Sequence, residues 1–485
     1  MKAPLFLLLA VQFTIFADLR AAIDGLPEPA AARETRPLSP AEKTLPNGLR
    51  IIVVERPGLP LVSATLLLRS GAEADPPTGA GLAGFTAALL TQGTTSRTAT
   101  QLAREIESLG ATLKASAGWD RSVVELTTLS ANLAPAFQLL ADVSMHPKFA
   151  PEEIERLRRQ LLDELRVSLE EPRAIAGAVA ARVLLGRGLY AHPPGGTLAS
   201  LPRLNRDAIT AFHSTHYAPG QAQLVLAGNV SAAAAFELAE KVFGEWQDTP
   251  AKKFASVSVE FEPATKPRTV LIDMPKAGQA AVVIATPAIP RSADDYFAGL
   301  VANTVLGGGY TSWLNQEIRV KRGLSYGARS TFDALRSGGT CVAGCQTKNG
   351  TAVEVATLLR EQLTRLGTEA AEPAFFQARQ SVLTGNFARD LETNHGYASQ
   401  ILDLAAHGLP LSALATYSAQ VQAITPDSAR AFATRHYGDG NFSIIIAGRA
   451  AEIAKPLRAA FPHLEIIPQA ALDLDSPTLR RAARR

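Results

Sequence analysis

Three consecutive glycines, Gly307-Gly308-Gly309, precede Tyr310, and further on Arg319 and Tyr326 stand seven residues apart. A run of glycines lets a backbone come close to another group, because no Cβ stands in the way. Arginine offers a fork of N–H donors, and the tyrosine hydroxyl both donates and accepts. The elements that must position the pair are local. Ser312 to Arg322 is helix-capable, with Leu314 and Ile318 four apart on one face. Gly323 is suited to ending it in the left-handed conformation, and Leu324-Ser325-Tyr326 reads as the start of a strand. The turn is expected to bring Arg319 and Tyr326 towards one side. Spacing alone leaves two readings open, a chemical pair or a surface helix with a solvated Arg and a core Tyr.

Other residues with chemistry of their own are fewer. His213 and His216 form H-x-x-H at helical spacing, which places two imidazoles on one face but supplies no third ligand. Cys341 and Cys345 would share a face of a strand, roughly 13 Å apart and too far for a disulfide. Without nearby histidines they make a poor metal site and are taken as buried thiols.

At 485 residues the chain exceeds one ordinary core. Its 47% hydrophobic and 19% charged residues describe a globular protein, and a net charge of +3 gives no case for nucleic acid as a partner. Lys2 followed by the apolar run Pro4 to Phe16 and by Ala17, Ala21 and Ala22 has the layout of a signal peptide, too short to span a bilayer comfortably. The expectation is export, to a bacterial periplasm, with cleavage near Ala17 or Ala22. With no cysteine after the run, no lipid anchor is expected there. Residues 1–22 are then signal, 23–43 a Pro/Ala-rich linker, and the basic end a solvated tail from residue 470.

The remainder reads as a duplication. Asp207 to Tyr217 and Asp427 to Tyr437 share Asp, Ala, Phe, His and Tyr at a constant offset of 220, and an Ala-Gly pair ends an apolar strand ten residues after each Tyr. Two similar domains follow, 44–257 and 258–469, with His216 and His436 at the same helix-to-strand corner for structural reasons. Within the first, Leu45-Pro46-Asn47-Gly48 is a hairpin-like turn into the strand Ile51 to Val54, and Leu61 to Arg69 is a second strand. Neither half alternates strictly as βαβ, so α+β domains with largely antiparallel sheets are expected.

The apolar helix that opens at Gly81-Leu82-Ala83-Gly84-Phe85-Thr86-Ala87-Ala88 and runs to Gly93-Thr94 resembles the zinc stretch of the pitrilysin/insulinase family, G-x-x-H-x-x-E-H followed by an apolar turn and G-T. The resemblance covers about Leu45 to Pro468 and points to the branch that holds the mitochondrial processing peptidase and the core subunits of the cytochrome bc1 complex. On that register Gly84 stands at the first zinc-binding His, Ala87 at the catalytic Glu and Ala88 at the second His. None of these side chains can ligate or move a proton, and a catalytic zinc needs about three protein ligands. The family's third ligand, a Glu about 76 residues on, falls at Glu164, a surface or boundary position of an amphipathic helix. Glu171-Pro172 and Tyr190-Ala191-His192-Pro193 also match family segments, His192 as a turn residue.

The opening stretch is similar to the family's second-domain pattern of glycines followed by R-x6-Y. Trp313 departs from it, since relatives often have Arg there. The resemblance implies that Arg319 and Tyr326 bind the peptide backbone and the oxyanion of a substrate, beside the glycine loop Gly307 to Gly309. In this branch some enzymes are heterodimers, one subunit carrying zinc and the other the Arg/Tyr pair or the glycine loop. The expected role is therefore the non-zinc subunit of such a peptidase, with no cofactor of its own, zinc in a paralogous partner, and no membrane span in the mature chain. The alternative is a catalytically inactive scaffold or peptide-binding protein, similar to the bc1 core subunits.

Overall fold

The structure is a computed structural model that describes residues 36–186, 188–247, 266–438, 440 and 442–481. The expected signal segment and the expected junction at residues 257–258 lie outside the described residues. Among the described residues, twelve strands form two sheets of six. The first comprises β1 (Ala41–Thr44), β2 (Arg50–Glu55), β3 (Leu61–Leu68), β4 (Thr112–Ala117), β5 (Ser122–Leu129) and β6 (Ala222–Gly228), in the order β1-β2-β6-β3-β5-β4. The second comprises β7 (Thr269–Asp273), β8 (Ala280–Ala288), β9 (Arg329–Ala334), β10 (Gly339–Thr347), β11 (Ser443–Gly448) and β12 (Leu464–Pro468), in the order β12-β7-β11-β8-β10-β9. Five strands follow the same path in both sheets, β2-β6-β3-β5-β4 and β7-β11-β8-β10-β9, which is the duplication seen in the sequence. The sixth strand differs. β1 pairs antiparallel with β2 through the hairpin, whereas β12 pairs parallel with β7. Most neighbours are antiparallel, as expected of α+β domains.

Local chemistry explains the elements at each end. In the β1–β2 turn Gly48 has φ 91°, a conformation that glycine adopts without strain. The Leu45 N–H donates to the Leu49 carbonyl at 2.9 Å, and the Asn47 side chain donates to the Phe243 and Trp246 carbonyls. β1 therefore begins at Ala41, inside the segment expected to be linker, because Arg50 pairs with Glu42 across the hairpin. The expected solvated tail also differs. Leu474 and Leu479 are buried, Thr197 donates to the Asp475 carboxylate, and Arg182 donates to the Asp475 carbonyl. Two apolar side chains in a polar stretch are enough to dock it. Among the described residues no helix is long and apolar enough to cross a membrane.

β3, β6 and β11 are buried along almost their whole length rather than on alternate residues. That pattern requires cover on both faces. One face of each sheet packs on helices of its own half. The other face takes a helix from the opposite half. Ile175, Val179 and Val183 of the helix Pro172–Leu185 lie with Val270, Ile272, Val283 and Ile445 of the second sheet. Reciprocally, Tyr397, Ile401 and Leu404 of the helix Asn394–Ala406 lie with Ile52, Val54, Leu67 and Val225 of the first. Each fully buried large apolar side chain contributes about 1.5–3 kcal/mol, so either helix is held across the halves by several such increments.

A polar clasp adds to this exchange. The β9–β10 turn reaches the first half, where the Arg336 N–H donates to Asp120 Oδ2 at 2.7 Å. Tyr190 donates to Asp120 Oδ1 at 2.7 Å, and the Ser337 N–H donates to the Tyr190 hydroxyl. Glu73 lies against Arg336, Nη1 to Oε1 3.5 Å. Burial raises the Glu73 carboxyl to about 7 from 4.5, with Arg336 opposing and Asp120 adding to the rise. The folded chain therefore holds a proton there that the unfolded chain releases between these values. The stability this supplies is complete below about pH 4.5 and is lost as the pH rises through about 7. Glu73→Gln should accordingly gain on the wild type, in melting temperature, as pH is raised across that window. A difference independent of pH would show that Glu73 is ionised throughout.

Candidate functional site

The glycine loop follows the helix Tyr296–Leu306 and is fitted closely to its surroundings. A Cβ on Gly307 would lie 2.2 Å from the Ser330 nitrogen, and one on Gly308 would lie 2.6 Å from Thr304 Cα. Both positions therefore require glycine. The Gly307 and Gly308 N–H groups donate to the Asn303 carbonyl, and Ser312 donates to the Gly309 carbonyl through its backbone and its hydroxyl. Gly308 remains exposed.

The run that follows is a π-helix, Asn315–Lys321, where a regular helix over Ser312 to Arg322 was expected. Leu314 and Ile318 are both fully buried, so the expected apolar face is retained. Gly323 ends the run at φ 62°, as its sequence position suggested. No strand begins at Leu324. β9 starts at Arg329, and Tyr326 sits on the intervening loop. Π-turns are uncommon and concentrate at functional sites.

The structure brings Arg319 and Tyr326 together and adds a third residue. The Arg319 guanidinium lies over the Tyr326 ring at 5.1 Å and over the Tyr310 ring at 4.7 Å. Tyr326 is 93% exposed and Tyr310 63%, so neither is a core tyrosine. Asn315 staples the two tyrosine-bearing loops. Its side-chain amide donates to the Tyr310 carbonyl at 2.6 Å, and its Oδ1 accepts from the Ala328 N–H at 3.2 Å. Lys321 and Arg322 both pair with Glu317, whereas Arg319 has no carboxylate partner among the described residues. Trp313, at the position that departs from the family pattern, stacks under the Arg365 guanidinium at 4.2 Å. The roles of Tyr310 and Asn315 had no signal in the sequence, because each depends on how the loops on either side of the π-helix fold back on it.

The zinc-motif positions are occupied differently. Ala87 is fully buried in the core of the first half, and Ala88 packs against that core. A Cβ on Gly84 would lie 3.2 Å from the Pro194 carbonyl oxygen, so the 191–197 loop roofs this face of the helix Leu82–Leu90. Gly81, at φ 89°, is where the loop comes closest, a Cβ there falling 2.6 Å from Gly196 Cα. Asp75 caps the helix, accepting from the Gly81 and Ala83 N–H groups at 2.7 and 2.8 Å, and His192 joins this carboxylate at 3.2 Å. His192 is thus part of a cap and not only a turn residue. Glu164 is exposed and accepts from Gln160 on its own helix. The residues present do not fit zinc. Among the described residues no group of three His, Cys, Asp or Glu is placed to hold a metal.

His213 and His216 have separate structural partners. His213 Nε2 meets the Ser144 carbonyl at 2.8 Å, and His216 Nδ1 meets Ser70 Oγ at 2.8 Å. His216 tilts over Phe212 at 4.4 Å, and His436 over Phe432 at 4.5 Å, the same corner twice. Cys341 and Cys345 are free thiols on β10, raised by burial to about 12 and about 11.

The sequence of residues 50–184 matches the family described as Insulinase (Peptidase family M16), and residues 203–382 match that described as Peptidase M16 inactive domain. The chain belongs to the insulinase family, M16. An uncharacterized zinc protease of Mycobacterium leprae is 26% identical to this M16 chain over 388 residues, 79% of the chain and 86% of the relative. One of Streptomyces coelicolor is 25% identical over 399 residues, 80% and 85%. Among solved structures, a peptidase M16 inactive domain from Pseudomonas fluorescens aligns with TM-score 0.78 at 26% identity, covering 85% of this chain and 98% of its own. A protease from Helicobacter pylori aligns with TM-score 0.79 at 19% identity, covering 85% and 100%, a likeness of fold.

Burial lowers both His213 and His216 to about 4 from 6.5. These imidazoles are neutral in the folded chain at pH values where the unfolded chain has begun to bind protons. The stability they supply is complete above about pH 6.5 and is lost as the pH falls through about 4. Imidazole resonances followed by NMR should show both rings uncharged at pH 5, and midpoints near the free value would contradict the burial described.

Proposed function

We propose that this M16 chain is the non-zinc subunit of an exported heterodimeric zinc peptidase. Its Arg319 and Tyr326 complete a peptide-cleaving site beside a partner that carries the metal. The observation that supports this best is the uncommitted state of the pair. Arg319 has no carboxylate to neutralise it, and the hydroxyl of Tyr326 makes no hydrogen bond among the described residues. An arginine fork held by two aromatic faces is well placed to take a substrate backbone carbonyl. A free phenolic O–H is the donor that an oxyanion requires. Gly308, exposed on the adjacent loop, presents backbone to which an extended peptide can add. The first half, with Gly84 roofed and Ala87 in the core, offers no complementary chemistry, so the other half of the site is assigned to a second chain.

The test is reconstitution. The isolated chain should retain no stoichiometric zinc and cleave no peptide, and mixing with an H-x-x-E-H paralogue encoded nearby should produce cleavage. In that complex Tyr326→Phe should lower kcat by about 10²–10³, the cost of one oxyanion donor, and Arg319→Ala should lower kcat/KM. Zinc at one equivalent in the isolated chain would contradict the reading. A complex that forms but stays inactive, or one indifferent to both substitutions, would favour the inactive peptide-binding scaffold.

A further inference from the structure

Directly behind the glycine loop, on the helix Pro373–Leu391, stands Arg379. It is only 8% exposed, yet it makes no hydrogen bond or ion pair among the described residues, and its Nε is shut off from solvent without an acceptor. Its one described contact is with the Phe375 ring, 5.0 Å from the guanidinium carbon. A face-on aromatic offsets part of the lost hydration of a cation but takes none of its N–H donors. Burial accordingly lowers Arg379 below the ordinary arginine value. The rest of the helix shows what the fold does when it intends a structural role. Gln380, the next residue, donates to the Val421 and Ile424 carbonyls.

The position of the unpaired fork is informative. A Cβ on Gly309 would lie 3.5 Å from Arg379 Nη1, in ordinary contact, so the guanidinium borders the loop at the residue next to Tyr310. Gly307 and Gly308 are glycine because Ser330 and Thr304 crowd them. Gly309 has no such crowding, since a Cβ there would meet Arg379 Nη1 only at ordinary contact distance. The end of the loop thus has an arginine at each of two neighbouring residues, Arg319 over the Tyr310 ring and Arg379 beside Gly309. A carboxylate matches a guanidinium fork in charge and in bidentate geometry.

We propose that Arg379 binds a carboxylate of the peptide seated on the glycine loop, so that this surface selects peptides carrying a free C-terminal carboxylate or an acidic side chain. The proposal rests on the reading of this loop as a peptide site, but not on the chain's taking part in cleavage.

The test is binding to the full isolated chain, followed by fluorescence polarisation with a short fluorescein-labelled peptide that has a free C-terminus and internal Asp and Glu. Two companions are the same peptide with an amidated C-terminus and the same peptide with Asn and Gln in place of Asp and Glu. One companion should bind at least about tenfold more weakly than the parent, the worth of one charge-assisted pair, and which of the two does so identifies the carboxylate. In Arg379→Gln that ratio should fall to near one. In Gly309→Asp the chain itself supplies the carboxylate, so the melting temperature should rise and the ratio should again be lost, which separates loss of recognition from loss of folding. Arg319→Ala should weaken all three peptides alike. Equal binding of the three peptides to the wild type, a ratio that survives Arg379→Gln, or no binding of any of them overturns the proposal. These outcomes are distinct from those of reconstitution, since an inactive complex leaves the carboxylate preference standing, and an active complex does not create one.

Discussion

Two helices exchanged between the halves are the constraint on which the rest of this fold depends. Each sheet is buried on both faces, and one face of each packs against a helix of the other half. Pro172–Leu185 closes the second sheet and Asn394–Ala406 closes the first. Separation of the halves would expose both outer faces at once. The pairing of the halves is therefore part of folding and not a later docking step, unlike ordinary domain contacts. The Arg336–Asp120–Tyr190 clasp sits at the edge of this exchange and fixes the β9–β10 turn against the first half. At Glu73 burial outweighs the nearby Arg336 and favours the protonated carboxyl.

Duplication placed equivalent helices and strands in both halves, and the two copies have diverged in opposite senses. In the first, the helix Leu82–Leu90 is lined with small residues, capped by Asp75 and covered by the Pro194 loop. Backbone of that loop lies close to the helix at Gly81 and Gly84. In the second, the loop after the equivalent helix keeps three glycines and stays open, and the next helix is widened into a π-turn whose basic residues are unequally satisfied. Glu317 neutralises two of them and leaves Arg319 to the tyrosines. One copy is thus closed over its helix and the other is open at its loop.

Much of this was legible in the sequence because it is set by local rules. The Asn47-Gly48 hairpin, the αL glycine at 323, the buried face of Leu314 and Ile318, the paired His216 and His436 corners and the mostly antiparallel sheets all follow from turn chemistry, periodicity and the offset of 220. The placing of Gly84, Ala87 and Ala88 at zinc-motif positions came instead from the resemblance to the insulinase family, and residue type alone says that none of the three can ligate. Burial of β3 and β11 on both faces was not legible, since a continuous apolar run does not say which distant helix will cover it.

The sequence by itself determined which residues could do chemistry and that Arg319 and Tyr326 fall within one turn and loop of each other. Only tertiary structure decided their circumstances. Tyr326 is exposed and not in the core, Tyr310 makes the second wall around Arg319 and Asn315 holds both loops through side-chain contacts within one short segment. Arg379, unpaired among the described residues, instead reaches Gly309 from a helix far along the chain. Spacing encodes which way neighbouring residues point. Whether a charge finds a partner depends on everything that packs around it.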